Sequence, residues 1–359
     1  MENNDKLLVR LKKEGGFKNM KKNFMLKSLI LILVFSMALI GCAQESEPGE
    51  KPEEPTDEPL ENEVKVGMVT DVGGVNDNSF NQSAWEGLER LKRAGGDVNY
   101  IESQGEGDFE PNLNEFVNGG WDLTWGIGFL MGDAIKAIAE QNPESNFGII
   151  DAVVDAPNVV STVFKEHEGS YLVGVVAAMT TKSNKIGFVG GMDIPVIKKF
   201  ETGFLEGVKA VNPDIDVKVE YTGSFTDAGL GKASAATMYD NGVDVIFHAA
   251  GGVGDGVFGE ASERSGVWVI GVDKDQSITF GDEITLTSMM KYVDEAVYQV
   301  SRDYAEGNFK GGIRELGLAE NGVGLPDENP NISEEVMNAV NEYKEKIING
   351  EIVVPSGIE

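Results

Sequence analysis

The chain has 359 residues, 41% of them hydrophobic, with 45 glycines, 12 prolines and a single cysteine. That length and apolar content exclude a disordered polymer and make two domains with a real core the expectation. A formal net charge of −30 repels phosphate backbones and excludes nucleic acid as a partner, and one cysteine excludes an intrachain disulfide.

Lys21, Lys22 and Lys27 precede an apolar run over residues 28–40, followed by Gly41 and Cys42. A basic start, an apolar stretch shorter than the ~20 residues of a spanning helix and a small residue before the cut form a secretory signal. Leu39-Ile40-Gly41-Cys42 also resembles the lipobox of bacterial lipoproteins, in which the cysteine is lipidated and becomes the new N-terminus. Residues 1–41 are expected to be a signal peptide that starts at Met20. Cys42 is then a lipid anchor on the extracytoplasmic side of the cell membrane. Residues 42–63, rich in Glu and Pro, predict an extended, self-repelling tether.

From residue 64 the texture changes. Short runs rich in Val, Ile and Phe predict strands over 65–71, 97–102, 121–126, 147–151 and 159–164. A second series predicts strands over 185–190, 216–221, 243–249 and 267–273. Between them, amphipathic periodicity predicts helices over 83–94, 132–141, 195–211 and 229–241. In 195–211, Val196, Phe200, Phe204 and Val208 fall on one face. The alternation predicts an α/β protein with parallel sheets covered by helices, and two series predict two similar lobes. In such sheets ligands lie beyond the carboxyl ends of the strands, so function is sought in the residues just after each strand.

The first strand runs into Asp71-Val-Gly-Gly-Val-Asn-Asp-Asn-Ser-Phe80-Asn-Gln82. This loop offers Asp71 and Asp77 as acceptors and Phe80 as an aromatic face. The competing role for Asp77 or Ser79 is to cap the next helix, and for Phe80 to enter the core. The motif continues to Gly87 and resembles the opening of the basic membrane protein family of substrate-binding lipoproteins. That family includes purine nucleoside receptor lipoproteins of ABC importers. The likeness extends through Gly126-Ile-Gly-Phe129, Ile150-Asp151, residues 185–191, Ala250-Gly-Gly-Val-Gly254, Gly271-Val-Asp273 and Ser288-Met-Met-Lys291, covering about residues 64–325.

The resemblance implies a type I periplasmic-binding-protein fold, two Rossmann-like lobes with three crossovers between them. The expected boundaries are 64–165 plus 274–306 for the first lobe and 166–273 plus 307–359 for the second. It also implies a purine held between two phenylalanines, matched here by Phe80 and Phe225. Asp71 and Asp77 would face the base edge, with Asn76 or Asn81 sharing that role. Asp151, Asp273 and Lys291 would bond the ribose hydroxyls, and Gly251 would let the backbone approach the sugar. The competing role of the two aspartates is capping or an ion pair with Lys291. Implied partners are inosine, guanosine or adenosine and a membrane ABC permease. No cofactor, no metal and a monomeric state are expected.

Other motifs carry less. Gly252-Val-Gly254 follows a strand, but Val257 stands where a dinucleotide loop places its last glycine. His167 and His248 lack zinc-ligand spacing, and His248 reads as a hydrogen-bonded core residue. No phosphate loop or nucleophilic triad is legible. The rival readings are a sugar or signalling ligand on the same fold, a nucleoside hydrolase, and a repressor, which the leader and the charge disfavour.

Overall fold

The computed structural model describes residues 58–358. The chain opens with β1 (Lys65–Val69), α1 (Phe80–Arg93), β2 (Asp97–Ile101), α2 (Phe109–Asn118), β3 (Leu123–Ile127), α3 (Gly132–Gln141), β4 (Asn146–Ile150) and β5 (Val159–Phe164). Helix α4 (Glu166–Thr180) then leads into β6 (Lys185–Gly190), α5 (Pro195–Val211), β7 (Asp216–Tyr221), α6 (Ala228–Asp240) and β8 (Val245–Ala249). Next come α7 (Val253–Ser262), β9 (Trp268–Asp273), α8 (Ser277–Phe280), β10 (Thr285–Lys291) and α9 (Val293–Ala305). The chain closes with β11 (Gly312–Leu316), β12 (Val323–Gly324) and α10 (Glu334–Ile348).

Two six-stranded sheets result, ordered β11-β5-β4-β3-β1-β2 and β12-β10-β9-β8-β6-β7. Every pairing is parallel except that of β12 with β10. The central strands are buried along nearly their whole length, as parallel strands covered on both faces must be. The chain passes between sheets three times: through α4, through α9, and between β11 and β12. This is the α/β architecture with three crossovers that the resemblance implies.

The expected lobe boundaries need correction. Strand β10 lies within 274–306 yet pairs with β9, so it belongs to the second sheet. Strand β11 lies within 307–359 yet pairs with β5 in the first. The reason is that the chain completes the second sheet with one more buried strand before it returns. That return uses the edge strand Gly-Ile-Arg-Glu-Leu, mostly exposed or half-buried, which carries no apolar run to announce it.

The helix over 195–211 lies where expected, with Val196, Phe200, Phe204 and Val208 buried. It packs on α4 at very short range. A Cβ on Gly203 would sit 2.1 Å from the carbonyl oxygen of His167, and one on Gly207 the same distance from that of Tyr171. Helix α4 is buried over most of its surface, so it has no polar stripe to betray it as an amphipathic segment.

Candidate functional site

The carboxyl ends of β1, β3, β4, β6, β7, β8, β9 and β10, with the loops that follow them, converge on one cleft of about 640 Å³, counting the part open to solvent. Asp71, Asp77, Phe80, Asn81, Asp151, Phe225, Gly251, Asp273 and Lys291 all line it. Asn76 does not. Its neighbours hold the loop on either side, Val75 N–H donating to Glu102 at 2.9 Å and Asp77 binding the helix start. Asn76 is left facing solvent, which corrects its expected place at the ligand.

The carboxylate of Asp77 accepts from the backbone N–H groups of Ser79 (3.0 Å), Asn81 (2.9 Å) and Gln82 (3.0 Å). It therefore caps α1, whose first N–H groups have no partner inside the helix, and this is why the helix begins at Phe80, ahead of the expected 83. Asn81 Nδ2 donates to Asp71 Oδ1 at 2.8 Å and to Asp77 Oδ2 at 2.9 Å, and Gly73 N–H donates to Asp71 Oδ1 at 2.9 Å. Among the described residues nothing bonds Asn81 Oδ1, a buried acceptor in the cleft wall. Burial pushes the Asp71 carboxyl up to about 6, against the hydrogen bonds from Gly73 and Asn81. Asp77 is raised as well, again by burial above all.

Phe80 and Phe225 are each half-buried and come from opposite lobes. Phe225 is seated on Gly191, where a Cβ would come within 2.3 Å of its ring. Lys291 Nζ lies 5.0 Å from the centroid of Phe80, 5.0 Å from that of Phe164 and 5.6 Å from that of Phe200.

Lys291 is 1% exposed and lies 2.7 Å from Asp151 Oδ2 and 3.0 Å from Glu166 Oε1. A buried ammonium is tolerated only with such partners. Burial works against its charge, yet Asp151, Glu166 and Asp273 outweigh burial and hold its pKa above the usual lysine value. Glu166 is itself fully buried, with Lys199 3.1 Å from its other oxygen. Burial would raise its carboxyl, but Lys291 and Lys199 prevail and keep it below the ordinary value. Sequence reasoning missed Glu166, although it lies just beyond the carboxyl end of β5, where it opens the crossover helix α4. It also missed Phe200 as a cleft wall, having placed it only in a core stripe.

Asp273 is raised to about 7 by burial, against the pull of Lys291 and of the Ser79 hydroxyl, which donates to it across the cleft. Asp151 Oδ1 is buried and unbonded among the described residues. The cleft thus offers two phenyl faces, an apolar wall from the start of α5, unbonded acceptors and one buried cation. Among the described residues no cluster of His, Cys, Asp or Glu could hold a metal ion, and no helix is long and apolar enough to cross a membrane. His248 is fully buried and bonded to Gln276 at 2.9 Å, in keeping with a core role. Cys42 and the leader lie outside the described residues.

A family model described as "ABC transporter substrate-binding protein PnrA-like" matches residues 64–357. The chain is 45% identical over 358 residues to the CD4+ T-cell-stimulating antigen of Listeria innocua, covering 94% of this chain and 99% of the relative. It is 41% identical over 360 residues to the ABC transporter nucleoside-binding protein BmpA of Lactococcus lactis, covering 94% and 100%. A solute-binding protein of an ABC transporter system from Aeropyrum pernix superposes with a TM-score of 0.74 at 33% identity, covering 81% of this chain and 94% of that structure. The chain belongs to the PnrA-like, or basic membrane protein, family of ABC transporter substrate-binding proteins, whose role is to capture a substrate rather than to transform one.

Proposed function

We propose that this protein binds a purine nucleoside in the cleft between its lobes and hands it to an ABC permease from a lipid anchor at Cys42. The observation that carries this reading is the placement of Phe80 and Phe225, from different lobes, on the walls of one cavity. A flat heterocycle is the ligand that uses two aromatic faces, each stacking contact contributing ~1–3 kcal/mol. Asp71 and Asn81 would read the base edge, where N–H groups need acceptors. Asp151, Asp273 and Lys291 would bond the ribose hydroxyls, and Gly251 would admit the sugar near the backbone.

Ligand contacts from both lobes would favour the shut form in proportion to its differential affinity, and the permease would recognise that form. The test is titration calorimetry with inosine, guanosine and adenosine. One-site binding is expected, and absence of heat and of a melting shift with all three rejects the ligand. Mass spectrometry of the mature protein, looking for a diacylglyceryl group on Cys42, tests the anchor.

A further inference from the structure

Gln276 follows β9 in the second lobe and is 1% exposed. Its Oε1 accepts from the backbone N–H of Val272 at 2.9 Å and faces His248 Nε2 at 2.9 Å. Its Nε2 donates at 3.0 Å to the carbonyl oxygen of Asn78, which lies in the other lobe. The amide has one tolerable orientation. Flipped, it would set N–H against the N–H of Val272 and oxygen against the oxygen of Asn78. His248 must therefore donate from Nε2, and its other ring nitrogen is buried without a partner among the described residues. Both side chains are seated tightly. A Cβ on Gly254 would come within 2.1 Å of the His248 ring, and one on Gly271 within 2.6 Å of Gln276 Oε1.

The receiving end is built to match. Asn78 holds a left-handed backbone, φ +53°, and its side chain donates to Asp255 of the second lobe at 3.1 Å. It sits in the loop that carries Asp77 and Phe80 into the cleft. We propose that Gln276 is the latch that holds the cleft shut by gripping the Asn78 carbonyl, and that His248 is the positioning residue that orients the latch. The latch works by hydrogen bonds to backbone and needs no contact with the captured molecule. It rests on the reading of the cleft as a site that closes, and it adds a device that reports closure of the loop rather than the identity of the ligand.

The experiment uses the full chain with Cys42→Ser and nitroxide labels at Lys136 and Ala233, exposed positions on α3 and α6. Pulsed electron resonance reads the inter-lobe distance distribution without ligand and with saturating guanosine. Gln276→Leu and His248→Phe are expected to lower the closed fraction at least threefold. His248→Gln, whose amide nitrogen reaches the place of Nε2, is expected to retain it, an outcome that a merely space-filling histidine would not give. An unchanged closed fraction in Gln276→Leu overturns the latch, and this variant decides alone if His248→Phe does not fold. Equal losses in His248→Gln and His248→Phe overturn the positioning role. Failure of guanosine to shift the wild-type distribution rejects the nucleoside, while the ligand-free comparison still decides the latch. A wild type without any closed population overturns it.

Discussion

Asp151 and Asp273 occupy matching places in the two lobes. Each lies at the carboxyl end of the third strand of its sheet, β4 and β9, and each has a left-handed backbone, φ +71° and +65°. Residues other than glycine adopt that conformation at a cost of about 1–2 kcal/mol, and such strain gathers at ligand clamps. The same turn in both lobes directs a carboxylate at the cleft, and the charge of Lys291 acts on both.

Phe80→Ala and Phe225→Ala should each weaken nucleoside binding at least tenfold, about 1.4 kcal/mol, with the fold intact. Calorimetry checks both, and circular dichroism confirms that the variants fold. Retention of full affinity in either variant removes that ring from the site.

Lys291→Met leaves Asp151 and Glu166 buried beside an apolar chain. Glu166 keeps Lys199, but Asp151 loses its hydrogen-bonded cation. Breaking a buried pair in this way costs about 3–5 kcal/mol. Urea unfolding at pH 7 should show a loss of that order.

Burial raises Asp273 to about 7 and Asp71 to about 6, both above the value of about 4 for a free aspartate. The folded state therefore holds protons that the unfolded chain releases. The stability these groups contribute is fully present below pH 4 and is lost as pH rises through about 7. Asp273→Asn should remove the Asp273 share of that decline and raise stability at pH 8 by on the order of 1 kcal/mol or more. Unfolding titrations from pH 5 to 8 on both proteins give the comparison. A parallel pH dependence in the two would show that Asp273 is not the titrating group.

Gly203→Ala would press a methyl group against the backbone of His167 and force α4 and α5 apart. Overpacking of this kind costs about 1–3 kcal/mol. A lowered melting temperature is expected, and a neutral result would mean that the helices separate freely.

Much of the fold is legible in the residues because strand and helix periods are local. The nine expected strands all exist, each within two residues of its expected ends, since most are short runs rich in Val, Ile or Phe. Helix α4 was not legible because beyond its charged first turn it is buried nearly all round, and β11 because it is an exposed edge. Within the site, the reading by strand ends and family resemblance together brought nine residues to one cavity. It failed at Asn76, where the direction of one side chain in a turn depends on the bonds its neighbours make.

The sequence by itself determined the α/β class, the two series of strands and the loops in which polar and aromatic residues collect, because those follow from short-range periodicity and turn chemistry. Only the tertiary structure decided which sheet takes β10 and β11, that Glu166 shares Lys291 with Asp151, and that Asp77 spends its oxygens on a helix end. Those outcomes depend on groups far apart in the chain meeting away from water, where an unpaired charge or N–H is costly enough to select one arrangement.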